Sequence, residues 1–456
     1  MRRRLPVVMV GMLLSAGCAA PAAMERQEAA GTAPAHDADP SAITFAEHVA
    51  PIVFEHCTPC HRPGEAAPFP LMTYEDVAKR GRRIAAVTRD RYMPPWKAEP
   101  GSFPFRDERR LTEAQIATIQ RWVESGMPKG DLAKAPPLPV FPAGWRLGEP
   151  DLVIEMPEGF AVPADGPDVY RNFVIPLGLD EDRWIRAIEF RPSAREAVHH
   201  VLFFADASGA GREADAADPG PGYEGMGPGG LGMTSLGGWA IGHQPHAYPE
   251  GIAMPLPRGA DLILQFHFHP TGRPDVERSA IGLHFADRAP DRLLTAIQLP
   301  PLFGYFAGID IPAGASDFQV EDAFELPVDV EAVAVGAHAH HLGREMQMTA
   351  VLPDGRELTL LRIGDWDFAW QDRYFFRELV PLPKGTRLRA FIRWDNSAGN
   401  PHNPSDPPVR VRWGTRSIDE MGCITLQVLP RRPEDHQELR AAYRQHVAAA
   451  VFGRRR

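Results

Sequence analysis

Cysteine is scarce in this chain, with four among 456 residues, at Cys18, Cys57, Cys60 and Cys423. So few thiols exclude a disulfide-dense scaffold, and an exported protein built this way must rely on its cores and on bound metal for stability. Positive charge is also short: 49 Lys and Arg stand against 59 Asp and Glu, and the net charge of −10 disfavours nucleic-acid binding. The apolar run at 5–14 is too short to remain in a bilayer as a spanning helix. What is present describes a globular protein: 44% hydrophobic and 24% charged residues over a length that calls for two or three cores.

The start, Met1-Arg2-Arg3-Arg4 followed by that apolar run and by Ser15-Ala16-Gly17-Cys18, has the order of an export signal. The last four of these residues resemble a bacterial lipobox, with Ser15 where Leu is usual. Cys18 is therefore expected either to carry a lipid anchor or to lie beside an ordinary cleavage site. The expectation is a signal over 1–18, a flexible tether over 19–40 rich in Ala, Pro, Asp and Glu, and a periplasmic location, free or anchored to the outer membrane.

Residues 41–130 carry a helical period. Phe45, Val49, Ile52 and Val53 share one helix face leading into Cys57-Thr58-Pro59-Cys60-His61. The C-x-x-C-H spacing is the attachment signature of a c-type haem: two thiols one turn apart bond the vinyl groups, and His61 is at hand as an iron ligand. A second helix opens at Thr112 with Gln115 three residues on, a capping box, carries Ile116, Ile119 and Val123, and stops at Gly126. This order is that of a small cytochrome c-like domain. Met93, stiffened by Pro94 and Pro95, is the expected second axial ligand, with Met72 and Met127 as rivals whose ordinary role would be core filler.

After a proline-rich linker over 131–144, the pattern changes to short alternating runs separated by Pro, Gly and Asp, which predicts all-β sandwiches over 145–295 and 296–430 and a helix over 431–456. Eleven glycines between Gly209 and Gly238 predict a long mobile loop there, placed to act as a lid.

Soft ligands recur through the β region: His199-His200, then His267, then His338-Ala339-His340, then Met421. Imidazole nitrogen and thioether sulfur suit copper in both oxidation states better than any hard cation. His338 and His340, two apart on an apolar run, share one strand face, while His341 is expected to point the other way as a structural histidine. The adjacent His199 and His200 can serve one metal only at a bulge or strand end, or through different ring nitrogens. Gln265, His267 and His269 share a face, so alternation leaves His267 and His269 open as ligands.

Together His199-His200, Leu264-Gln265-Phe266-His267, His338-Ala339-His340-His341-Leu342-Gly343 and Asp419-Glu420-Met421 resemble, in order and spacing, the copper type II, ascorbate-dependent monooxygenases, the family of dopamine β-monooxygenase and the peptidylglycine α-hydroxylating enzyme. The resemblance covers about residues 145–430. It implies two jelly-roll-like β domains facing each other across an open cleft, each with one copper. His199, His200 and His267 would hold the electron-storing copper. His338, His340 and Met421 would hold the copper where dioxygen is used, and Gln265 would match a residue between the two sites. The resemblance thus favours His267 over His269.

The departures narrow the substrate. Gly336 stands where the peptide-hydroxylating members carry a carboxylate-binding Arg, and Cys423 and Thr425 replace an Asn and a Tyr, so peptidylglycine is not expected. The cofactors expected are two copper ions and one haem c. The partners are a small organic substrate, dioxygen and an electron donor, whether ascorbate, a cytochrome or a quinol-linked protein, with the haem passing electrons to the three-histidine copper. The alternative is a periplasmic haem and copper protein that transfers electrons or holds copper and hydroxylates nothing.

Overall fold

The computed structural model describes residues 43–65, 67–142, 144–225, 233–241 and 243–453. The expected signal, tether and Cys18 lie outside the described residues. Among the described residues no helix is long and apolar enough to cross a membrane.

Residues 43–134 form a small helical unit. Phe45–Val49 is a π-turn that runs into Ala50–His56, followed by Tyr74–Ala78, Gly81–Arg89 and Glu113–Glu124. Phe45, Val49, Ile52 and Val53 are all buried, against Ile84, Ile119 and Trp122. The capping box is present: Gln115 N–H donates to Thr112 Oγ1 and the Gln115 side chain accepts from Thr112 N–H. Such a cap is worth about 1 kcal/mol. In this helix Trp122 takes the core position, and Val123 is only half-buried.

Part of this unit belongs elsewhere. Ala98 and Phe105 lie in the core of the C-terminal sandwich, and backbone hydrogen bonds run from Glu99 to Arg362, from Ser102 to Thr359 and from Arg106 to Phe375. The segment between the third and fourth helices therefore straps the helical unit to the distant sandwich.

Two pairs of antiparallel sheets follow. In the first, the sheet of Leu152–Glu155, Ala280–Phe285, Arg183–Arg191 and Met254–Leu256 packs on the sheet of Tyr223–Glu224, Val169–Pro176, Asp261–Phe268, Val198–Asp206 and Thr234–Ala240. Their inner faces meet through Ile185, Phe190, Leu264 and Phe266. In the second, the sheet of Thr295–Leu299, Gly422–Pro430, Val330–Ala339 and Arg373–Leu382 packs on that of Phe318–Glu325, Arg387–Trp394, Gly343–Val351 and Glu357–Ile363. Ile297, Leu426, Met348 and Ile392 join those inner faces. The C-terminal helix His436–Gly453 docks on this sandwich, with Leu439 fully buried and Tyr443 hydroxyl donating to Gln298 O.

The glycine-rich stretch is not one long loop. Ala210–Ala217 is a helix entered through Gly209 at φ +80°, and Asp206 accepts from the Gly211 N–H. Thr234–Ala240 is a strand of the first sandwich, in which a Cβ on Gly238 would meet the Val201 carbonyl at 2.8 Å. These glycines serve helix entry and close strand approach rather than disorder. The middle of the expected lid, 226–232, lies outside the described residues.

Candidate metal centres

A bulge solves the difficulty of adjacent histidines. In the pairing of Val198–Asp206 with Asp261–Phe268 the register shifts between Val198 and His200. Val198 and Val201 both face the core, so the two residues between them turn outward together. His200 sits directly across from His267, and the imidazole groups of His199, His200 and His267 can all place a ligand atom within 4.8 Å of one another.

The ring orientation identifies the donor atoms. His200 Nδ1 lies 3.2 Å from His199 Nδ1 and 3.4 Å from His267 Nδ1. On its far side His267 Nε2 donates to Asp168 Oδ2 at 2.7 Å, so its Nδ1 presents a lone pair to the cluster. Three ring nitrogens this close can share a proton between two rings or turn their lone pairs to one cation. Burial and the neighbouring His267 push His199 down to about 3, and burial first drives His200 well below its usual value, so both rings are neutral and ready to ligate. Burial opposes ionisation of Asp168, but hydrogen bonds from His267 and His269 outweigh it and hold the carboxyl at about 2. Tyr170 stacks on His267 at 4.3 Å. His269 is exposed and donates its Nδ1–H to the same carboxylate, which separates it from the cluster.

A second bulge orients the other set. Val330 and Ala332 face the C-terminal core, and continued alternation would send 334, 336, 338 and 340 there as well. The register shifts between Ala332 and Ala334 instead. Val335 and Ala339 then face the core, and His338 and His340 turn to the opposite side, toward the first sandwich. His338 Nδ1 donates to Gln371 Oε1 at 2.6 Å and His340 Nδ1 donates to the Asp419 carbonyl at 3.0 Å. In both rings Nε2 is buried and has no hydrogen-bond partner. Burial depresses these imidazoles to about 4 for His338 and about 3 for His340, so each Nε2 is a lone pair with nothing to accept from. Unpaired buried acceptors on neighbouring rings are what a soft metal requires.

Met421 lies at the end of the same ladder. His338 pairs with Cys423 and Ala339 with Gly422, and Met421 directly precedes the paired strand as His340 directly follows its own. Met421 is buried. Glu420, to which sequence reasoning gave no role, fixes the turn. Its carboxyl accepts from the N–H groups of His340, Leu342 and Met421 and from Trp394 Nε1. Burial pushes that carboxyl up to about 8 while the four donors pull the other way.

The two sets are not separated by an open cleft. Phe368 packs between them, its ring centroid 5.5 Å from His199, 5.7 Å from His267 and 5.4 Å from His340. His341 also turns toward this ring, at 4.6 Å, rather than away from the sites. The physical reason is apolar contact between the sandwiches: Val333, Ala334, Phe375 and Leu429 of the second lie in the core cluster of the first. Gln265 is buried in this neighbourhood, but its amide nitrogen donates to Asn172 Oδ1 and the Gly225 carbonyl, not to an imidazole.

In the helical unit Cys57 and Cys60 are free thiols one turn apart, with the His61 N–H donating to the Cys57 carbonyl. Burial pushes the Cys57 thiol up to about 12. His61 Nδ1 donates to the Phe69 carbonyl at 3.1 Å, which leaves Nε2 as the ring atom that could ligate a metal. Met127 is occupied as core filler: a Cβ on Gly81 would lie 2.4 Å from its sulfur. Met72 and Met93 are both half-buried, and Met93 is followed by a cis peptide to Pro94.

No family model and no curated protein matches this sequence. Among solved structures, the major capsid protein P2 of bacteriophage PM2 aligns with a TM-score of 0.24 at 12% identity, over 58% of this chain and 97% of that one. The VP2 subviral particle of infectious bursal disease virus gives 0.19 at 9% identity, over 62% and 72%. PNGF-II gives 0.21 at 12%, over 61% and 60%. Similarities this weak carry no argument about the chain.

Proposed function

We propose that this chain is an exported copper-dependent monooxygenase that hydroxylates a C–H bond of a small organic substrate with dioxygen, with electrons delivered through its own c-type haem. The observation that carries the reading is the pair of buried, unpartnered Nε2 atoms on His338 and His340, at the end of the ladder that Met421 adjoins. Two copper ions would supply one electron each, as reductive use of dioxygen to make an alcohol requires. His199, His200 and His267 would hold one through Nδ1, and His338, His340 and Met421 the other through Nε2 and sulfur.

The residues around these ligands define what each site can do. Three imidazoles support easy cycling between oxidation states, which fits an electron store, while a thioether favours Cu(I), the state that meets dioxygen. Phe368 and the contact between the sandwiches cover one side of each set, and Gln371 and the Asp419 carbonyl hold the second pair of rings in one orientation. Cys57, Cys60 and His61 would hold the haem, with Met93 as the second axial ligand, inside a cytochrome c-like unit. The two sandwiches would be the jelly-roll-like domains of the copper type II monooxygenases.

A second reading, a haem and copper protein that only transfers electrons or holds copper, draws support from the burial of His340 and of the His338 Nε2 atom. One experiment separates them. Protein matured with haem should contain two coppers and one haem per chain. Supplied with reductant and a panel of small organic substrates under isotopically labelled dioxygen, it should release a product carrying one labelled oxygen. Full metal content with no labelled product would favour the second reading, and fewer than two coppers would remove both copper assignments.

A further inference from the structure

Among the described residues Phe368 is the one side chain whose ring touches imidazoles of both sets. It lies in Trp366-Asp367-Phe368-Ala369-Trp370-Gln371-Asp372, a segment with an anchor at each end. Trp366 Nε1 donates to the His340 carbonyl, Gln371 accepts from His338, and Asp372 accepts from Arg109 at 2.6 Å and from His243 at 3.1 Å. Trp370 meets Tyr92, the residue before Met93, edge to face at 6.4 Å. The phenyl ring is thus held from the His338/His340 side, from the helical unit and from the first sandwich. It stacks on His199 at an interplanar angle of 30° and meets His340 edge-on at 69°. His341, which makes no hydrogen bond among the described residues, fills the remaining side of the ring.

We propose that the two donor sets form one paired metal centre, its halves separated only by the Phe368 ring, and that Phe368 is the positioning residue that sets their spacing. This rests on the copper reading above. A ring clamped by both sandwiches leaves no room for a solvent gap between the sets. An electron leaving the three-histidine side therefore crosses one aromatic side chain rather than a water-filled cleft. Phe368 is not a ligand and takes up no charge; its contribution is distance and the exclusion of water.

Electron paramagnetic resonance of the full chain loaded with Cu(II) tests this, recorded at a temperature where low-spin haem iron relaxes too fast to contribute. Two coppers one ring apart should give a dipolar-broadened signal and a half-field transition. Both should disappear in His199→Ala and in Met421→Ile, each of which keeps one copper. Adding Phe368→Ala to either single-site variant should shift the hyperfine pattern of the copper that remains, and Phe368→Tyr should restore it. A doubly loaded spectrum equal to the sum of the two single-site spectra would overturn the pairing while leaving the two-copper reading intact. A hyperfine response at only one site would overturn the role given to Phe368. Binding of fewer than two coppers would overturn the copper reading and the pairing with it.

Discussion

The three-histidine set leans on a carboxylate, whereas His338 and His340 lean on neutral groups. Asp168 accepts from His267 at 2.7 Å, so that imidazole is polarised by a full negative charge. His338 and His340 donate instead to an amide oxygen and a backbone carbonyl, and the third donor beside them is a thioether. An anionic outer partner raises the basicity of a ligand and favours the more highly charged metal; neutral partners with sulfur favour the lower charge. On the copper reading, the same residue type, turned outward by the same device of a strand bulge, would thus give two sites suited to different oxidation states.

The largest break in this comparison comes from Met421→Ile. Removing the thioether donor should abolish dioxygen consumption by the reduced protein, a loss beyond the roughly 10–100-fold that outer partners command, while the three-histidine copper stays bound. An oxygen electrode and copper analysis on the same sample check both halves, and parental dioxygen consumption would remove the oxygen assignment from this site.

Asp168→Asn should act in the opposite place. Copper affinity at the three-histidine set should fall by roughly 10–100-fold, with the His338/His340 site unchanged. Competition with a chelator of known affinity measures it. Gln371→Met removes only a neutral partner and should weaken its own site less. If the two variants weaken their sites equally, the charge difference between the sites does not matter.

A separate effect is on pH. Burial lowers the His338 and His340 imidazoles to about 4 and 3. An unfolded histidine takes up its proton near 6.5, so the stability gained by keeping these rings neutral is fully present above that pH. It is lost as pH falls toward the folded values, at about 1.4 kcal/mol per unit of depression. Metal-free protein should therefore melt at progressively lower temperature from pH 6.5 to 4. Copper retention should stay flat from pH 8 to about 5. A metal-free melting temperature independent of pH over that range would contradict the burial of these rings.

The candidate ligands stood out in the sequence because soft donors at fixed spacing are rare, and the alternating runs announced the sandwiches. The capping box at Thr112 and Gln115 appeared where its residues placed it. What the sequence hid were features set by long-range contact. Both bulges depend on the neighbouring strand, so a bulge for His199 and His200 could be required but not located, and nothing near Val333 hinted at one. Asp168 reaches His267 across 99 positions and Phe368 reaches His199 from another sandwich. The only local signal for the latter was the dense aromatic and acidic run from Trp366 to Asp372. The glycine-rich stretch misled because glycine density was read as disorder, when several glycines admit close strand packing.

X-ray absorption at the copper edge tests the central claim most directly. In the reduced, doubly loaded protein the account predicts one sulfur scatterer for every two coppers, lost completely in Met421→Ile while imidazole scattering remains. Sulfur scattering that survives in Met421→Ile, or its absence from the parent protein, would contradict the assignment of two unlike copper sites.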